Sequence, residues 1–155
     1  MILMTFPHLN QMCNHALATY PEECCGLLLG TINNTEKLIV EVRATPNSWS
    51  LENEESFPTI SPSIPKVLSK QTRFAIAPQI ILQVQKEARD RALQIIGVYH
   101  SHPDYLAIPS EFDRAIAWSD YSYIIISVQS DQTTDLKSWQ LDDNRQFQAE
   151  NIQIL

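Results

Sequence analysis

Apolar positions near the start of the chain recur every three or four residues, at Leu9, Met12, Cys13, Ala16, Leu17 and Tyr20. That spacing predicts a helix with one buried face, closed by Pro21, which cannot continue it. The period then changes. "CGLLLGTI" and "KLIVEVRA", the second partly alternating, flank the polar "NNTE" and predict an antiparallel hairpin. Periodicity stops from Ser48 to Thr72, where Pro58, Pro62 and Pro65 exclude a continuous helix or a central strand. This stretch reads as a long mobile insertion, with a lid as its favoured role. "RFAIA" resumes as a short strand, and Pro78 opens a helix whose apolar face runs through Ile81, Leu82, Val84, Ala88 and Leu93. "QIIGVYHS" predicts a buried strand and Ser110 to Trp118 a helix. "YSYIIISVQS", "LKSWQLDD" and "QFQAENIQIL" follow as closing strands, the last two antiparallel.

Strands outnumber helices, and the helices fall between groups of strands. The expected class is therefore mixed α/β, a curved and mostly antiparallel sheet flanked by helices, in one domain spanning residues 1–155. A chain of 155 residues with 44% hydrophobic content can bury one sizeable core. The net charge of -7, with no run of Lys or Arg, argues against nucleic acid and anionic membrane surfaces as partners. The start "MILMTFPHLN" lacks a basic leader, and no segment approaches the roughly 20 apolar residues of a membrane span. A soluble, cytoplasmic protein is expected. Cys13, Cys24 and Cys25 fit a reduced compartment, since adjacent cysteines rarely pair and no paired Cys-x-x-Cys exists. Gly26, Gly30 and Gly97 are the only glycines, too few for phosphate-cradling loops.

The chemistry concentrates in "GVYHSHPDYLAIPSEFDRAIAW", which begins at Gly97. Residues two apart on a strand face the same side, so His100 and His102 project together while Ser101 points away. Two imidazoles converging at a strand end suit zinc, whose catalytic sites take three protein ligands and leave one position to water. Pro103 ends the strand, and Asp113 lies in the first turn of the following helix, where its carboxylate can swing back as the third ligand. Ser110 and Asp113 also match a helix capping box variant, compatible with metal binding. Elsewhere, His8 and His15 are expected on the surface, Trp118, Tyr121 and Tyr123 in packing roles, and Glu52, Glu54 and Glu55 in solvent.

Taken together, Glu23, His100-Ser101-His102-Pro103 and Ser110-x-x-Asp113 resemble the motif of the JAMM (MPN+) zinc metalloproteases of the stand-alone prokaryotic type. "YPEECCGLLLG", "RFAIAP" and "IIGVYHSHP" extend the resemblance over most of the chain. It implies the cytidine-deaminase-like MPN/JAB fold, one zinc per chain on His100, His102 and Asp113, Glu23 as general base, and Ser110 as the oxyanion donor. The family's register, two residues after a proline and three before a glycine, selects Glu23 over Glu22, leaving Glu22 as a solvated loop carboxylate. The implied activity is a metallopeptidase or isopeptidase cutting after the Gly-Gly tail of a ubiquitin-like or sulfur-carrier protein, which is then the partner. Asn47 occupies a position often asparagine in the family, with no role assigned. Two rivals remain: a catalytically silent scaffold of the same fold, against which the complete motif counts, and a cysteine hydrolase using Cys24 or Cys25 with His100. A serine hydrolase lacks its Gly-x-Ser-x-Gly elbow.

Overall fold

The structure, a computed structural model, describes residues 1–54 and 68–155. The elements in chain order are β1 (Ile2–Met4), α1 (Phe6–Thr19), β2 (Cys25–Asn33), β3 (Glu36–Thr45), α2 (Leu51–Glu54), α3 (Pro78–Asp90), β4 (Gln94–Pro103), α4 (Glu111–Ile116), β5 (Ser122–Val128), β6 (Thr133–Leu141), β7 (Phe147–Glu150) and β8 (Ile152–Ile154). No helix among them is long and apolar enough to cross a membrane.

All eight strands form one sheet in the order β7-β6-β5-β4-β2-β3-β1-β8. The β2–β3 hairpin is antiparallel, and its turn is eased by Asn34 at φ 56, a left-handed conformation that asparagine tolerates well. β4 lies centrally, antiparallel to β2 and parallel to β5. Both neighbours pair with it along most of its length, which fixes where its side chains stand. Because side chains alternate, the sheet builds a core on each face. Met12 and Ala16 of α1 pack with Leu28, Ile96, Tyr99, Ile124 and Ile126 on one side. Val84 and Ala88 of α3 pack with Leu27, Leu29, Val98 and Tyr123 on the other.

Several elements differ from the sequence expectation. β1 was not foreseen, since three residues are too short to display a period. The segment "RFAIA" is not a strand: the Ala75 N–H donates to the Asn47 side chain and the Ala75 carbonyl accepts from Ser48, so these groups serve a local contact instead of a ladder. The final run divides at Asn151. Its first half is the antiparallel partner of β6, as expected, but its second half crosses to the far end of the sheet and runs parallel to β1. The sheet is thereby curved and nearly closed. α4 is shorter than expected, with Ser110 as its N-cap. His15 is half-buried, its Nδ1 2.7 Å from the Tyr99 hydroxyl, and burial lowers its pKa. His8 is likewise half-buried and accepts from the Thr5 N–H. Trp118 is 56% exposed, whereas Tyr123 is buried. Of the expected insertion, residues 55–67 lie outside the described residues, and the lid expectation with Glu55 falls there. Glu52 is exposed, as anticipated.

Candidate metal centre

His100 and His102 end the central strand on the face that α3 covers, both buried, while Ser101 faces the opposite core. There the Ser101 hydroxyl accepts from the Cys24 N–H at 2.8 Å, and the Ser101 N–H donates to the Cys24 carbonyl at 3.1 Å. The residue between the histidines therefore ties their strand to the segment carrying Glu23. Beyond Pro103, Asp104 takes a left-handed φ of 56 and turns the chain toward α4.

At the start of α4 the Ser110 Oγ accepts from the Asp113 N–H at 3.1 Å, and the Ser110 N–H donates to Asp113 Oδ2 at 2.8 Å. This reciprocal box aims the carboxylate back at the strand. Asp113 Oδ1 stands 3.2 Å from His100 Nε2, Asp113 Oδ2 3.2 Å from His102 Nε2, and the two Nε2 atoms are 3.1 Å apart. Glu23 is also buried, with Oε1 3.9 Å from His102 Nε2. Glu23, His100 and His102 form a group that could hold a metal ion, their ligand atoms all within 4.8 Å of one another.

The donor chemistry of the cluster fits a small cation. His102 Nδ1 lies 2.8 Å from the Leu106 carbonyl, which can only accept, so Nδ1 carries a proton and Nε2 is the nitrogen turned toward Asp113 and His100. Two imidazole nitrogens and a carboxylate thus converge, a donor set that suits a small divalent cation. Tetrahedral zinc, with ligand bonds of about 2.0–2.1 Å, separates neighbouring ligand atoms by ~3.3 Å, close to the spacings found here. His100 is steadied differently: its ring stacks on Phe74 at 4.4 Å and 22°, and its Nδ1 has no hydrogen-bond partner among the described residues.

The electrostatics set the protonation states. Burial pushes the His100 pKa down, against the pull of Asp113, and keeps the ring neutral as a ligand must be. Burial would favour a neutral Asp113, but the facing His100 and His102 outweigh it and hold the carboxyl well below the usual range. Glu23 goes the other way. Burial first, and then the Asp113 charge, raise its pKa well above an ordinary glutamate, with Arg73 opposing. Two carboxylates in one pocket are thereby driven to opposite proton affinities.

The structure thus brings together Glu23, His100, His102 and Asp113, with Ser110 capping the helix that carries the last. Glu22 is half-exposed. Burial pushes the Cys24 and Cys25 thiols up to about 12 and about 11 respectively, and Cys25 Sγ lies 3.6 Å from both the Thr45 hydroxyl and the Pro46 carbonyl. Such thiols hold almost no thiolate at neutral pH, which removes the support for a cysteine nucleophile. Sequence reasoning noted Asn47 as a family position but gave it no role. Its amide makes four hydrogen bonds, two of them to the backbone carbonyls of Glu23 and Arg73. Nothing in a linear pattern shows three separate segments meeting at one side chain.

Residues 6–142 match Prok-JAB, the prokaryotic homologues of the JAB domain. No curated protein matches the chain. Among solved structures, it is similar to a solution structure of a Desulfitobacterium hafniense protein, at 25% identity and a TM-score of 0.78, covering 100% of this chain and 93% of that one. A Salinibacter ruber protein is similar at 27% identity and a TM-score of 0.68, over 100% and 92% of the two chains. A crystal structure of a JAB1/MPN domain protein from Archaeoglobus fulgidus aligns over 99% and 97% at a TM-score of 0.54; at 16% identity this likeness speaks for the fold.

Proposed function

This chain belongs to the Prok-JAB family of prokaryotic JAB-domain homologues, and we propose that it is a zinc-dependent peptidase or isopeptidase cutting after the Gly-Gly tail of a ubiquitin-like or sulfur-carrier protein. The observation that carries this reading is the convergence of His100 Nε2, His102 Nε2 and the Asp113 carboxylate within 3.2 Å of one another, with Glu23 alongside. His100, His102 and Asp113 would hold the ion. Zinc, when bound, supplies the Lewis acidity that brings a water toward deprotonation near neutral pH and polarises the scissile carbonyl.

Glu23 is suited to move the proton. Its carboxylate is buried beside the ligand atoms and its proton affinity is raised, so Oε1 can take a proton from the attacking water and return it to the leaving amine. Ser110 accepts the Asp113 N–H with its oxygen, which leaves the hydroxyl proton to be donated to the developing oxyanion. No covalent enzyme intermediate is needed. The substrate assignment draws on a cleft of about 540 Å³ lined by Phe74, Ile76, Val98, Trp118 and Tyr123. Phe74 belongs both to the cleft and to the His100 stack, so one ring adjoins both the cleft and a proposed ligand. A glycine tail has no side chains to clash on such an approach.

The test is zinc content by elemental analysis together with cleavage of a Gly-Gly-tailed β-grasp fusion, on wild type, Glu23→Gln and His102→Ala. About one zinc is expected in wild type and Glu23→Gln and none in His102→Ala, with turnover in Glu23→Gln reduced by about 10³-fold. Loss of zinc in Glu23→Gln would make the glutamate a ligand instead of a base. Zinc in the wild type without cleavage of any such fusion would leave a metal-binding scaffold.

A further inference from the structure

The Asn47 side chain uses its whole hydrogen-bonding capacity on three separate stretches of backbone. Its Nδ2 donates to the Glu23 carbonyl at 3.1 Å and to the Arg73 carbonyl at 2.9 Å. Its Oδ1 accepts from the Trp49 N–H at 3.1 Å and the Ala75 N–H at 3.2 Å. Two donors and two acceptors exhaust what an amide can offer. No other natural side chain presents two donors and an acceptor oxygen from so short a stem, apart from the longer glutamine.

Three of these partners, Glu23, Arg73 and Ala75, flank the metal centre. Glu23 sits in a segment without helix or strand, between α1 and β2, held on its other side by the Lys70 carbonyl at 2.7 Å. Arg73 and Ala75 bracket Phe74, whose ring stacks on His100. We propose that Asn47 is a positioning residue, fixing the backbone that carries Glu23 and the backbone that carries Phe74 in register over the histidine pair. It touches neither ligand atoms nor the space between them. Its effect on turnover rests on the hydrolase reading above, whereas its effect on geometry does not.

Asn47→Asp separates these effects, because it keeps the shape and both accepting bonds but sets an oxygen against the Glu23 and Arg73 carbonyls. Residue-resolved hydrogen exchange on the zinc-free protein should show the Glu23 and Cys24 amides exchanging about tenfold faster, with the β4 amides at wild-type rates. Zinc affinity, measured by competition with a chromophoric chelator, should stay within about threefold of wild type, since no ligand contact changes. In an active wild type, kcat should fall by about 100-fold with KM little altered, the cost of a misplaced catalytic group. Wild-type exchange at Glu23 and Cys24 would overturn the proposal. So would equal acceleration along β4, which would make Asn47 a general stabiliser. Asn47→Ala, measured the same way, decides the question if the aspartate variant does not fold. Should the wild type bind zinc and cleave nothing, the hydrolase reading falls while the exchange data still judge Asn47.

Discussion

Asp113 performs two tasks with one carboxylate: Oδ2 takes the Ser110 N–H and faces His102, while Oδ1 faces His100. In the proposed site helix capping and metal binding would therefore be coupled, because the box that starts α4 also orients the Asp113 carboxylate. Ser110→Ala breaks the box from the other side. It should lower stability in urea by about 1 kcal/mol through the lost cap. Turnover should fall by about 10²-fold through the lost oxyanion donor, with zinc retained. A variant that loses stability but not rate would reduce Ser110 to capping alone. The legibility of these residues follows from how local their geometry is. His100 and His102 are separated by one residue on one strand, and Ser110 and Asp113 by one helical turn, so their shared faces could be read from spacing. Glu23 has no such period; only the family resemblance singled it out, and only the fold places it 3.9 Å from His102. Asn47 was noted only as a family position, and its role depends on contacts with residues 23, 73 and 75 that no local pattern shows.

Among the elements, β4 decides the site, and β4 in turn depends on close strand contacts around Gly97. A Cβ at Gly97 would collide with the backbone carbonyl of Ser122 on β5, which cannot swing aside as a side chain would. Gly97→Ala should therefore cost about 2 kcal/mol of stability, read as a lower urea midpoint. It should also weaken zinc binding, because His100 lies three residues further along the same strand. An unchanged midpoint would show that β4 and β5 can part without penalty. β4 and α3 were legible because each is long and bounded by strong signals, a buried apolar run for one and Pro78 with an amphipathic face for the other. "RFAIA" has the composition of a strand, but Asn47 and Ser48 take its backbone groups, a tertiary choice that outweighs local preference. The break at Asn151 was hidden for a related reason. Two short runs of the same character, joined by one residue, give no turn signal.

At the scale of the whole molecule, the sheet begins and ends with strands that adjoin in sequence: β7 and β8 are separated by Asn151 alone yet occupy opposite ends of the strand order. The joint is reinforced around Glu150, which is buried, accepts from the Ser138 hydroxyl at 2.6 Å and lies 3.4 Å from the amino group of Met1. β8 contributes the pairs Ile2 with Ile152, Leu3 with Gln153 and Met4 with Ile154. Removing residues 152–155 should lower unfolding stability in urea by about 2 kcal/mol through lost pairing and burial, while zinc content stays at the wild-type level. Loss of zinc in that variant would show that the metal centre needs the joint. The order of strands puts β4 far from it, with β2 on one side and β5 on the other. The molecule is built like a split ring, and a split ring absorbs changes in circumference at its gap. Flexing of the sheet should therefore concentrate where β7 hands over to β8, read as faster amide exchange at residues 147–154 than along β4. The span between His100 and His102, set within one strand paired on both sides, should keep its length.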